Sequence, residues 1–226
     1  MAAVIAFWGV RLTYNFAKKG AYSIKFWSGE EDYRWALLRK NKILGNKFVW
    51  CLFDLFFISI YQNVLVLAIT FPMVAIMEST VAINYLDIIF GLLAFGFVAL
   101  ELIADHQQRN FYNKRKELMK DGTPLKDIEP PYNKGFNTMG IWKYSRHPNY
   151  LSEQMIWVSL YLFTISAGVC KYGVFNWSIV GCMFLVMLFQ GSATLGEKIS
   201  SSKYPEYKNY IKTTSQFIPW FNRKIK

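Results

Sequence analysis

Long apolar runs, separated by segments that are alternately basic and nearly free of positive charge, restrict this chain more than any other feature. The runs cover residues 48–77, 85–104, 150–169 and 175–196, and a fifth apolar stretch covers residues 2–17. At 1.5 Å of rise per residue, about 20 residues cross the hydrocarbon core of a bilayer, so each of the four runs is long enough to span. Segment 18–47 carries eight Lys or Arg, segment 105–149 carries nine and segment 198–226 carries seven, whereas the connections 78–87 and 168–177 together contribute only Lys171. The positive-inside rule then orients every helix consistently, with the three basic segments in the cytosol and the N-terminus on the other side. The expected fold class is an all-α, multi-pass transmembrane bundle of about five helices in a single membrane domain, with cytosolic loops 18–47 and 105–149 and a cytosolic tail 197–226. The first partner is therefore the lipid bilayer. The absence of a cleavable leader and the Lys-rich tail are compatible with the endoplasmic reticulum or a bacterial inner membrane, and the former is the expected location.

A hydrophobic fraction of 53% belongs to a membrane chain rather than to an ordinary soluble domain. A net charge of +11 could indicate nucleic acid, but the basic residues sit in loops between apolar runs, not along a helix face or beside a stacking platform. No nucleic-acid partner is expected. Cys51, Cys170 and Cys182 lie in or beside apolar runs without metal-ligand spacing, so they predict neither a zinc site nor a disulfide framework. The start of the chain lacks the basic n-region of a secretory signal and reads as part of a membrane helix. The run 48–77 exceeds the bilayer thickness and contains Pro72, which predicts tilt or a break near its end. In the long loop, Asp121-Gly-Thr-Pro124 and Glu129-Pro-Pro131 are turn signals that make it irregular rather than helical throughout.

Polar groups placed against membrane runs need partners. Gly140-Ile-Trp-Lys-Tyr-Ser-Arg-His-Pro-Asn-Tyr-Leu-Ser-Glu153 sets Tyr144, Arg146, His147, Asn149, Tyr150 and Glu153 at the start of the run 150–169. An ionisable group at bilayer depth costs about 2.5–3.5 kcal/mol or more unless it is partnered, so this cluster reads as a ligand site. An interfacial helix cap is the plainer alternative. Pro148 suits the first turn of the following helix, which puts Arg146 and His147 just outside a positive helix end of the kind that accepts phosphate or carboxylate. Asn149 and Glu153 are one turn apart on one face. Glu101, Asp105 and Arg109, at i, i+4 and i+8, share a second face at the end of the run 85–104, where they could also be a helix-ending ion pair. Glu197 follows the last run. Tyr204, Tyr207 and Tyr210 lead to a segment ending at Pro219, and they read either as an aromatic belt or as a lid over the cytosolic site.

These residues resemble the membrane steroid 5α-reductase-like proteins, in particular their broad uncharacterised branch. The matching stretches are Glu30-Glu-Asp-Tyr-Arg34 with Leu38-Arg39, Glu101-Leu-Ile-Ala-Asp-His-Gln107, the segment 140–153, and the segment 207–219; they keep the family's order and cover nearly the whole chain. The resemblance implies a helical membrane fold whose C-terminal half holds NADPH from the cytosolic side and reduces the conjugated double bond of an apolar, lipid-like enone. It places Asp105 and Arg109 at the adenosine and phosphate portion, Asn149 and Glu153 at the nicotinamide amide, and Arg11 near the cofactor from the first helix. It also implies that the chain begins within the family's third helix, with the position of the proton-donating Tyr falling near Trp8. Where the family usually has Gly two residues after the motif's aromatic residue, this chain has Ser152.

Two other functions fit part of the pattern. Isoprenylcysteine and phospholipid methyltransferases resemble the Arg-His-Pro-x-Tyr element, and such an enzyme would bind S-adenosylmethionine with Arg146, His147 and a pair of adjacent acids, where this chain has Glu197 followed by Lys198. A non-catalytic cofactor- or lipid-binding protein on the same scaffold is the third reading.

Overall fold

The computed structural model describes residues 1–18, 33–170 and 173–221, and among these it is helical without strands. Residues 19–32 of the basic segment 18–47, including the motif residues Glu30 to Asp32, together with Lys171 and the basic residues beyond 221, lie outside the described residues. The helices are α1 (Ala2–Lys18), α2 (Tyr33–Leu38), α3 (Lys47–Phe53), α4 (Gln62–Ala68), α5 (Phe71–Ile76), α6 (Tyr85–Leu118), α7 (Pro148–Ser166), α8 (Val180–Lys203) and α9 (Tyr207–Thr213).

Three helical segments are long and apolar enough to cross a bilayer: Lys47–Ile76, Tyr85–Leu118 and Trp177–Lys203. They establish the membrane character of the chain. The two other expected spans differ from these in kind. Within the described residues α1 covers 17 residues, about 26 Å. α7 is long enough at 19 residues, but it is interrupted by polar side chains that are buried, among them Ser152, Ser159 and Thr164 at 0% exposure. Several of these groups are satisfied within the helix: Ser152 Oγ donates to the Pro148 carbonyl at 2.8 Å, Gln154 Nε2 to Tyr150 at 2.8 Å and Ser159 Oγ to Met155 at 2.6 Å; Thr164 Oγ1 instead accepts from Asn176 Nδ2, outside the helix, at 2.8 Å. Ser152 is thus absorbed by its own helix.

The first long segment is not uniform. Asn46 caps α3 by accepting from Phe48 N at 2.9 Å, and between α3 and α4 the residues Asp54–Tyr61 form a π-helix. The wider turn accompanies a ladder of rings, with Phe53 stacked on Phe57 at 5.0 Å and Phe57 on Tyr61 at 5.4 Å. The break expected from Pro72 falls at residues 69–70, and Pro72 occupies the first turn of α5, where its missing N–H costs nothing.

The chain divides into two compact units, Met1–Ile88 with Leu160–Leu185, and Ile89–Ser159 with Val186–Lys226. In the first unit, the beginning of α6 is tied to the end of α7. Asn84 Oδ1 accepts from Leu86 N, Asp87 Oδ2 accepts from Asn84 N, and Ser166 Oγ donates to Asp87 Oδ1 at 2.6 Å. α8 begins against α4 through Gly181, where an added Cβ would overlap the Ala68 carbonyl and the Ile69 amide. Backbone cannot step aside as a side chain can. Gly181→Ala is therefore expected to cost about 1–3 kcal/mol, measurable as a lowered unfolding midpoint in detergent, whereas Gly96→Ala, with open space around it, should be neutral or slightly stabilising.

In the second unit, α6 runs past the end of its apolar stretch to Leu118. The polar turns beyond 104 look like a loop in hydropathy, but they are anchored along their length: Trp142 Nε1 donates to the Ala104 carbonyl at 3.2 Å and Ile141 N to Gln107 Oε1 at 3.0 Å. Arg115 Nη1 donates to the Gly135 carbonyl and to Tyr204 Oη at 3.3 Å. The rest of the loop is irregular as the Gly and Pro signals imply, with short 3-10 turns at Leu125–Asp127, Tyr132–Lys134 and Gly140–Lys143.

Candidate functional site

The segment 140–153 enters α7 through a tight turn whose shape is imposed by its neighbours. Gly140 takes φ +58°, and a Cβ there would overlap the Gln107 amide. That close fit lets Ile141 and Trp142 bond α6, and it brings Ser145, Arg146 and His147 to the N-terminus of α7.

At that point three of the polar residues singled out by sequence meet. Arg146 Nε lies 2.8 Å from Glu197 Oε1 and Nη2 lies 3.1 Å from Oε2, a two-pronged pairing between the start of α7 and the end of α8. His147 Nε2 donates to the same Glu197 Oε1 at 2.9 Å. The third prong of the guanidinium, Nη1, donates to the carbonyls of Ile211, at 3.0 Å, and Thr214. Arg146 and Glu197 are both 8% exposed. A guanidinium engaged on all three nitrogens holds three elements in register; it is a keystone more than a free anion receptor.

The C-terminal segment closes over this turn by backbone hydrogen bonds. Arg146 N donates to Ser215 O at 2.9 Å, His147 N to Gln216 O at 3.0 Å, and Trp220 N to Tyr144 O at 3.2 Å, with Ser145 and Ser215 forming a parallel bridge. The C-terminal segment thus forms a strap over residues 144–147. Tyr207 and Tyr210 lie beneath it, packed with Phe136 at ring distances of 4.8 and 5.4 Å. Tyr210 Oη donates to the Trp142 and Ser145 carbonyls. Burial, followed by the neighbouring Tyr207 and Glu197 and opposed by Arg146, raises the Tyr210 hydroxyl well above its usual range, so it remains a neutral donor. The folded state holds this proton more tightly than the unfolded chain does. Its contribution is accordingly complete below about pH 10 and is lost as the pH rises above that value. Tyr210→Phe should cost about 1–3 kcal/mol at neutral pH, because it leaves buried carbonyls without a donor, and should flatten the loss of stability above pH 10 in pH-dependent unfolding.

The other residues named from sequence are placed as follows. Tyr150 stacks on His147 at 5.1 Å and meets Phe189 at 4.8 Å. Glu153 Oε1 accepts from Trp157 Nε1 at 2.9 Å, one turn further along α7. Asn149, one turn before Glu153, keeps its side-chain Oδ1 inaccessible to solvent and without a hydrogen-bond partner. Tyr144 is exposed. On α6, Glu101 is buried and Asp105 and Arg109 are half-buried, along the stretch that holds Trp142 and Ile141. Arg11 is buried on α1, in the first unit.

Sequence reasoning assigned no role to Gln107, Gly140 and Trp142, although all three stand inside the quoted motifs. Two further buried polar atoms, Gln108 Oε1 and Asn137 Nδ2, also have no hydrogen-bond partner. Neither has a signal in spacing or periodicity.

Comparison with known proteins matches residues 1–214 to the model of a family described as protein of unknown function, DUF1295. The chain is 36% identical over 229 aligned positions to the uncharacterised protein C594.04c of Schizosaccharomyces pombe, an alignment that takes in 97% of this chain and 62% of that protein. The chain therefore spans about three fifths of the length of this curated relative. No solved structure matches.

Proposed function

We propose, from the premise that the chain belongs to the DUF1295 family, that it is an NADPH-dependent membrane oxidoreductase acting on the conjugated double bond of an apolar, lipid-like enone. The observation that carries this reading is Asn149. A buried carboxamide oxygen without a partner is costly, and it calls for a donor from a ligand. The carboxamide of a nicotinamide ring is a donor of that kind, and it is the group that the resemblance to steroid 5α-reductase-like proteins assigns to Asn149 and Glu153.

When bound, NADPH would supply the hydride for the β-carbon of the double bond, and a proton completes the reduction. The chain's own residues have other tasks. Asn149 and Glu153, one turn apart on α7, orient the ring amide, and the Trp157 indole fixes the Glu153 carboxylate that does so. Arg146 and Glu197, with His147, lock the turn that presents Asn149, so their role is positioning. Asp105 and Arg109 on α6 are the residues that the resemblance assigns to the adenosine and phosphate portion. The apolar helices give a substrate of lipid character a route from the bilayer, which keeps water from the reacting atoms.

The test is the unfolding midpoint of the detergent-purified protein with NADPH, NADH, S-adenosylmethionine or no ligand. At 100 times its dissociation constant a ligand adds about 2.7 kcal/mol, so stabilisation by NADPH alone is the expected result. Stabilisation by S-adenosylmethionine alone would replace the reductase with a methyltransferase. No shift with any of the three would leave a non-catalytic membrane protein.

A further inference from the structure

A cavity whose lining does not include Asn149 or Glu153 opens at the C-terminal strap. It encloses about 380 Å³. Its lining combines Lys212 and the run of hydroxyl and amide residues 213–216 with the apolar Ile218, Trp220 and Phe221. These three apolar side chains are 68%, 66% and 82% exposed, and exposed apolar side chains that line one cavity are suited to an apolar ligand or a bilayer. No acidic side chain is found among the described lining residues.

The depth of the cavity follows from its hydrogen bonds. Gln216 O receives His147 N, three residues before the apolar run of α7 starts at Tyr150, and Arg146, which also lines the cavity, pairs with Glu197 just past the apolar run of α8. The strap therefore sits where membrane helices give way to basic sequence. An exposed tryptophan beside a lysine at that level is the composition of a bilayer interface.

We propose that this cavity binds an anionic phospholipid of the surrounding bilayer. The phosphate is held by the Lys212 ammonium and the polar groups of residues 213–216, and Ile218, Trp220 and Phe221 lie against the start of the acyl chains. A lipid seated there clamps the strap that closes over Arg146 and His147, so bilayer charge becomes an input to the site. The proposal does not rest on the cofactor reading, since none of the residues assigned to the nicotinamide lines the cavity.

Native mass spectrometry of the full detergent-purified chain, titrated with phosphatidylglycerol and phosphatidylcholine of identical acyl chains, tests it. The wild type is expected to retain phosphatidylglycerol preferentially. Lys212→Glu should lower that preference by about tenfold, Lys212→Met should lower it less, and Trp220→Ser combined with Phe221→Ser should weaken retention of the lipid, all with unchanged helical content by circular dichroism. Equal retention of the two lipids, or a preference that survives Lys212→Glu, would overturn the proposal. Inorganic phosphate should not displace the lipid; displacement would reassign the cavity to a soluble phosphate and sink the lipid claim. The NADPH-dependent shift of Lys212→Glu, measured in parallel, separates this outcome from failure of the reductase reading.

Discussion

Glu197→Ala is expected to destabilise the protein by about 3–5 kcal/mol, because it leaves the Arg146 guanidinium buried without its counter-charge. The measurement is denaturant unfolding in detergent, with Lys198→Ala, an exposed neighbour, as control. A joint replacement, Arg146→Met with Glu197→Leu, should recover much of the loss, since neither charge then remains to be compensated. If Glu197→Ala behaves like the Lys198 control, the pairing is not structural.

Asn149→Ala is expected to remove the NADPH-dependent stabilisation, about 2.7 kcal/mol at the saturation considered above, while the unliganded midpoint rises or stays level. The sign distinguishes a binding role from a structural one. Deleting a side chain whose buried oxygen has no partner relieves a desolvation cost, so only the liganded protein should suffer. Glu153→Gln should also abolish the shift, with a small loss in the unliganded state from a weaker bond to Trp157. Undiminished NADPH affinity in both variants would sink the assignment of these residues.

The long apolar helices were legible because bilayer thickness and hydropathy fix them almost alone. The break near Pro72 was legible for an equally local reason. The π-helical stretch Asp54–Tyr61 was not, since its apolar side chains read the same at either helical pitch. Nor was the extension of α6 to Leu118, whose polar turns are held by Trp142 and Arg115 from outside the helix. Within the site, the sequence picked out Arg146 and His147 by the cost of charge near a membrane, and Glu197 only by its place after the last apolar run. It did not reveal that they engage one another. Arg146 and Glu197 are separated by 51 residues, and nothing in their spacing announces that the guanidinium is already occupied. Asn149 stood out in the sequence for its place beside Glu153, and its unsatisfied oxygen emerged only with the fold.

The strap also sets an order of events during biosynthesis. Arg146 and the Thr214 carbonyl that receives its Nη1 are 68 residues apart, and synthesis proceeds at about 5–20 residues per second. Once the arginine is made, about 3–14 s pass before its last partner exists. Throughout that interval a guanidinium destined for burial at the start of α7 has only part of its final hydrogen bonding. The keystone is therefore completed only after α8 and α9 have both been made.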